Sequence, residues 1–458
     1  MNYLKNDTIA ALSTAAGKSA IAVVRLSGEN AFEIINKVFK TKSAVEKQIK
    51  YGYIVDGTKN IDEVICTFFK APYTYTGENL VEISMHGNPV IIDEVLNLLY
   101  KFGARHAEGG EFTYKAFLNG KKDLAEAEAV CNLITSRTAT STKAALNNVS
   151  GVFSSKVKAI KDNLTNLIAF MEVTLDHPEE DIVFLSREEK LTRLDSYMQD
   201  VKNLLSSYEI GKLLQNGIKT AIIGKPNAGK SSLLNAILGK NRAIVTDIAG
   251  TTTDTIEETI DCRGIPLTII DTAGIRDHAD NSIELMGQER TKETITKADI
   301  LLWIFDSSSN LDKNDIKIAD FLKKSGDNAP TIAVLNKSDL PVNLSLTKNS
   351  LGIVFQDTIN ISAKTEKGIS DLLDKIAKMA GANETQNDYL MINSRHYALL
   401  QNTLDALTKT KTALESKNAD EIACFEAANA QNSLNEVLGI NVNQDILDTI
   451  FSTFCIGK

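Results

Sequence analysis

A chain of 458 residues has room for about three domains at ~150 residues each, and each could bury its own core. With 43% hydrophobic and 24% charged residues, 26 Gly and 7 Pro, the composition excludes a disordered or collagen-like chain. A net charge of -9, with pI ≈ 5.3, excludes a surface that grips nucleic acid over its whole extent, so any RNA contact must be local or shared with a partner.

The first stretch, residues 1–120, alternates β-branched runs such as IAVVRLSG and NLVEISMHG with helical runs such as NAFEIINKVFK and VIIDEVLNLLYKFG, which predicts a compact α+β domain. From 121 to 215 the pattern becomes helical, with apolar residues at helical spacing in LAEAEAVCNLI and VKAIKDNLTNLIAFMEV. Between 216 and 380, buried-type strands (IKTAIIG, LTIID, ILLWIFD, TIAVLN, INIS) alternate with helices, the pattern of a doubly wound parallel sheet. Helices return over 381–458, so the economical reading is one helical domain interrupted by an inserted α/β domain. The cysteines Cys66, Cys131, Cys262, Cys424 and Cys455 form no CxxC or Cys/His cluster, which argues against a disulfide framework or a zinc site. The opening MNYLKNDTIAALS lacks the features of a secretory signal, and no run approaches the ~18 apolar residues of a membrane span; a cytoplasmic protein without a membrane partner is expected.

The strongest motif runs from Gly224 to Ser231, GKPNAGKS, a GxxxxGK[ST] set between a strand and a helix. Its backbone amides, from Asn227, Ala228 and Gly229 onward to Ser232, can wrap phosphates; Lys230 can reach the β and γ oxygens, and the Ser231 hydroxyl can ligate Mg²⁺. After the strand TIAVL come Asn336, Lys337 and Asp339, where a carboxylate can accept from the N1–H and amino group of guanine. A site built around such an acceptor discriminates on the order of 10⁴ or more. Ser362, Ala363 and Lys364 fit a loop whose backbone N–H meets the guanine carbonyl. Asp271, Thr272, Ala273 and Gly274 end another strand; the aspartate can hold Mg²⁺ through water and the Gly274 amide can sense a γ-phosphate. Thr252, in the stretch Thr246, Asp247, Ile248, Ala249, Gly250, Thr251, Thr252, is placed to be a second hydroxyl ligand of Mg²⁺, and together these loops make a switch. Position 275 is Ile rather than Gln, so water must be oriented by another group, and the charge that an arginine finger would offset, ~10³ to 10⁵ in rate, needs another source.

With these motifs and the ending Cys455-Ile456-Gly457-Lys458, the chain resembles the MnmE (TrmE) family of tRNA-modification GTPases from end to end. The flanking matches DTIAALSTAAGKSAIAVVRLSG, YTGENLVEISMHGNP, GEFTYKAFLNGKKDLAEAEA and NSRHYALL carry the resemblance beyond the G domain. It implies K⁺ in place of the arginine finger, held by Asn227, Thr246, Ile248 and Thr251 when two G domains pair, and Glu284 as the group that positions water. The lesser alternative for Glu284 is a solvated glutamate of a switch region.

The resemblance further implies that the N-terminal domain binds a tetrahydrofolate derivative, in a 5-formyl or 5,10-methylene form, through Arg25, Glu82, Lys121 and Lys458, and serves as a homodimerisation unit. From the bare residues, Arg25 and Lys121 read as ordinary surface charges, and Cys455 as an acid, a nucleophile or a packed thiol, with packing favoured. The family's activity is to add, with an MnmG-type flavoprotein in a heterotetramer or larger complex, an aminomethyl or carboxymethylaminomethyl group to C5 of the wobble uridine of certain tRNAs. A regulatory or assembly GTPase with a non-catalytic dimerisation module is the alternative. The chain departs from the family pattern in Thr253, where Arg is usual, and in Lys225, where Arg is common and an exposed site is expected.

Overall fold

The computed structural model describes residues 7–41, 48–176, 185–240, 258–270, 295–325, 329–347, 350–381, 389–416 and 420–458. The chain divides into two compact units: Met1–Cys131 with Asn148–Lys202 and Ala398–Lys458, and Asn132–Asn147 with Asn203–Tyr397.

In the first unit, the strands are β1 (Ile9–Leu12), β2 (Ser19–Ser27), β3 (Phe39–Thr41), β4 (Ile49–Asp56), β5 (Lys59–Phe69), β6 (Leu80–Gly87) and β7 (Arg105–His106). They form a sheet in the order β3-β4-β5-β6-β2-β1-β7, antiparallel except for the β1–β7 pair. Alternation sorts the side chains: Ala22, Val24 and Leu26 of β2 and Val81, Ile83 and Met85 of β6 are buried, in one core with α1 (Ala31–Val38) and α2 (Pro89–Lys101). The intervening residues, Arg25 and Glu82 among them, face the other way and stand directly opposite each other across β2 and β6. Two further helices, α3 (Glu111–Leu118) and α4 (Leu124–Thr135), lead into helical structure. Next along the chain come α5 (Ala139–Val149), largely of the second unit, the long α6 (Val152–Asp176), α7 (Arg187–Ser206) and α8 (Tyr208–Asn216), the last also of the second unit.

In the second unit, β8 (Ile218–Ile223), β9 (Glu258–Cys262), β10 (Ile265–Ile270), β11 (Ile300–Asp306), β12 (Thr331–Asn336) and β13 (Asp357–Asn360) form a sheet in the order β13-β12-β11-β8-β10-β9. It is parallel except for the hairpin strand β9. A parallel sheet needs cover on both faces, which is why these strands read as near-continuous apolar runs. Leu302 and Ile304 of β11 enter one core with Leu233, Leu234 and Ile237 of α9 (Lys230–Lys240), while Trp303 and Phe305 enter the other with Ala319 and Leu322 of α10 (Lys313–Ser325). The first core also takes Ile369, Leu372 and Ile376 of α11 (Ile369–Met379), and Ala144 and Ala145 from the middle of α5.

The chain closes with α12 (Ser394–Glu415), α13 (Asp420–Leu438) and α14 (Gln444–Ser452), and α13 packs along α6. This is the architecture expected: an α+β N-terminal part, helices, and a doubly wound α/β sheet of the G-domain type.

Candidate functional site

In open α/β sheets, ligands bind outside the carboxyl ends of the strands where strand order reverses. Here β8 lies inside the sheet with β10 on one side and β11 on the other, and the loops leaving β8, β12 and β13 carry the sequence motifs. The turn after β8 is built by two glycines. Gly224 (φ +151°) lies so close to β11 that a Cβ would sit 2.6 Å from the Ile304 carbonyl oxygen, and at Gly229 (φ +102°) a Cβ would meet the Asn336 amide nitrogen at 2.1 Å. Asn227 between them is left-handed (φ +62°), a conformation asparagine tolerates better than most residues. Lys230 opens α9, and its Nζ donates to the carbonyls of Gly224 (2.8 Å) and Lys225 (3.0 Å), inside the curve of the loop. Burial pushes this ammonium below the usual lysine pKa, so an anion in the loop would restore what desolvation costs it. Ser231 and Ser232 are exposed on the first turn of α9.

Asn336 ties the loops together. Almost fully buried, it donates from Nδ2 to the Ala228 carbonyl (3.0 Å) and accepts at Oδ1 from the Ala363 amide (3.0 Å), so the phosphate loop and the Ser362–Lys364 stretch are fixed by one side chain. Asp339 accepts from the Ser362 hydroxyl (2.6 Å); that bond, with backbone amide support, holds its carboxyl below the usual aspartate pKa. The result is a cavity of about 590 Å³ whose lining includes Gly229, Ser232, Asn336, Lys337, Asp339 and Lys364. That is ample for a nucleotide, within the ~300–1,000 Å³ of small-molecule sites.

Sequence reasoning missed three charged partners of these loops, Asp306 for Lys337 and Asp312 and Asp315 for Lys225. Asp306, at the end of β11, pairs with Lys337 (2.6 Å) and accepts from Ser308; burial opposes its ionisation, yet these bonds hold its carboxyl below the usual range. Lys225 corrects the expectation of an exposed site: its side chain is only 11% exposed and bridges Asp312 and the fully buried Asp315, both at 3.0 Å. Only the strand-end position of Asp306 was visible beforehand; its register opposite Asn336 was not. Thr246 to Thr252, Asp271 to Gly274 and Glu284 lie outside the described residues, as do Thr253 and Ile275.

A second cluster forms in the first unit. Arg25 Nη2 and Nε donate to Glu82 Oε1 (2.7 and 3.1 Å), and Nη1 reaches the Gly457 carbonyl (3.4 Å). The guanidinium carbon lies 5.4 Å from the Tyr75 ring centre and 5.6 Å from that of Phe112. Far from an ordinary surface charge, the Arg25 side chain is 15% exposed, and that of Glu82 is 30% exposed. The carboxyl-terminal tail is threaded into this place: Ile456 bridges Gly109, Gly110 donates to the Cys455 carbonyl (3.3 Å) and Phe112 to the Lys458 carbonyl (3.1 Å). Cys455 is exposed, which corrects the expectation of a packed thiol: the tail is held through its backbone and not through this side chain. Lys121 is also exposed and keeps its surface-charge character, its Nζ 5.9 Å from the Tyr73 ring centre. A cationic donor, a carboxylate acceptor and two rings at one point suit a flat heterocycle with a hydrogen-bonding edge.

The fold and the phosphate loop define a P-loop protein of the GTPase type. Comparison with known proteins agrees: the "MnmE helical domain" family matches residues 124–455, and "GTP-binding protein TrmE N-terminus" matches residues 8–121. The chain is similar to the tRNA modification GTPase MnmE of Endomicrobium trichonymphae, 70% identical over the full length of both. It is 41% identical to that of Clostridioides difficile (strain 630), over 99% of each chain, and 39% identical to that of Aquifex aeolicus (strain VF5), over 99% of this chain and 100% of the relative. The chain belongs to the MnmE family. Among the described residues no helix is long and apolar enough to cross a membrane.

Proposed function

We propose that the chain is a GTP-hydrolysing enzyme of tRNA modification, with the cavity at the strand ends of the second unit as its nucleotide site. The observation that carries this reading is the convergence of three loops on one cavity through Asn336, which places the phosphate loop beside the Asp339 carboxylate. On binding, Lys230 exchanges its two carbonyl acceptors for phosphate oxygens, which are stronger, charged acceptors. Asp339 accepts from the guanine edge, held ready by Ser362, and adenine offers it no matching donors. Ser231 on α9, with Thr252 and with Asp271 through water, would hold Mg²⁺, which supplies charge neutralisation to the phosphates. The exposed Asn227 at the turn of the loop, with Thr246, Ile248 and Thr251, would hold K⁺ where a guanidinium would otherwise stand, and Glu284 would orient water.

In the first unit, Arg25, Glu82, Lys121 and the tail ending in Lys458 would hold a tetrahydrofolate derivative, and the exposed Cys455 lies on the same tail. The family resemblance supports a cytoplasmic homodimer working with an MnmG-type flavoprotein on C5 of a tRNA wobble uridine. Wobble-nucleoside analysis of tRNA from cells with and without this protein tests the reading: loss of the C5 modification is expected, and unchanged nucleosides contradict it.

A further inference from the structure

Asp306 ends β11 in register with Asn336. Both of its carboxylate oxygens are engaged: Oδ2 with the Lys337 ammonium (2.6 Å), and Oδ1 with the Ser308 amide (3.0 Å) and hydroxyl (2.6 Å). Ser308 is fixed in turn, its carbonyl accepting from Asn343 Nδ2 (2.8 Å). The carboxylate is therefore clamped and has one direction in which to hold a cation. Lys337 lines the cavity beside Asp339, yet its ammonium is bound at Asp306, and its backbone is left-handed (φ +64°), a conformation lysine adopts only when its surroundings impose it. A lysine side chain carries high rotamer entropy, and binding a ligand against a mobile one costs affinity.

We propose that Asp306 is a positioning residue of the guanine site: by anchoring the Lys337 ammonium it lays that lysine's aliphatic stem along the cavity as a preformed apolar wall for one face of the base. The division of labour is then clear. Asp339 reads the edge, the Lys337 stem supports the face, and Asp306 fixes the stem before ligand arrives. The inference rests on the nucleotide-site reading above and adds a residue to it.

Titration of the full chain with a ribose-labelled fluorescent GDP tests it, using wild type, Asp306→Asn, Asp306→Glu, Lys337→Met and the Asp306→Asn/Lys337→Met double variant. Asp306→Asn is expected to weaken binding about tenfold, Asp306→Glu to recover most of that, and the double variant to bind no worse than Lys337→Met alone. Binding by Asp306→Asn as tight as wild type, or tighter, overturns the proposal, since the pair would then be idle or a clasp on the empty cavity. A further tenfold loss on adding Asp306→Asn to Lys337→Met also overturns it, because Asp306 would be acting through the fold. Should Asp306→Asn fail to fold, unchanged affinity in Lys337→Met is the overturning result. Wild type that holds labelled ADP as well as labelled GDP strikes the site reading itself, an outcome distinct from the others.

Discussion

Asn336 shows how much of a site can hang on one amide. Its two hydrogen bonds satisfy a carbonyl of the phosphate loop and an amide of the Ser362–Lys364 stretch, so Asn336→Ala leaves both without their partner in a buried place. A loss of about 2 kcal/mol or more from the second unit is expected, read by denaturant unfolding, together with weakened GDP binding. A separate titration belongs to this scale. His86 Nδ1 lies 2.7 Å from Asp62 Oδ1, and that bond, with the charge of Asp62, raises the imidazole pKa above its ordinary value. A raised folded-state pKa contributes stability that is complete below the unfolded value and lost as pH rises through the folded one. NMR titration should place His86 above 6.5, and Asp62→Asn should bring it down; an unchanged midpoint would remove the pair from the account. Residue identity made Asp339, Lys230 and the glycines legible in the sequence, because motif spacing is local. It hid Asp315, whose side chain meets that of Lys225 from 90 positions away in the chain, and it hid the Arg25–Glu82 pair, which only strand register brings together.

At the scale of elements, periodicity is what made the strands readable. The run ILLWIF is apolar throughout because β11 feeds cores on both faces, whereas β2 and β6 alternate because one face joins the core with α1 and α2 and the other carries the Arg25–Glu82 pair. Trp303, fully buried between Phe305 and Phe355, anchors the second of those cores, and Trp303→Ala should cost about 3–5 kcal/mol. The docking of the carboxyl-terminal tail had no periodic signal. It depends on Gly457, at φ +91°, where a Cβ would sit 2.1 Å from the Leu12 carbonyl oxygen. Gly457→Ala is expected to lift the tail, so that the Gly110 and Phe112 amides exchange hydrogen faster; protection equal to wild type would show that the tail is held elsewhere.

For the whole molecule, the sequence pattern conveyed that an α/β region interrupts helices, because strand-type and helix-type runs differ in length and composition. It could not convey that the middle of α5 supplies Ala144 and Ala145 to the core of the second unit, since small residues on a helix carry no label for their partner. If K⁺ replaces an arginine finger in this chain, GTP turnover should be on the order of tenfold faster or more in K⁺ than in Na⁺, and Asn227→Ala should abolish the difference; equal rates in both salts would refute the assignment. On the proposed reading, phosphate-loop amides and the Asp339 carboxylate act on one ligand in one cavity. Parallel titrations with GTP, ATP and XTP test it most directly. Wild type should hold GTP at least about 100-fold more tightly than ATP, and Asp339→Asn should shift preference to XTP, because it exchanges an acceptor for a donor opposite the base. Equal affinity for GTP and ATP in wild type, or undiminished GTP preference in Asp339→Asn, would contradict it.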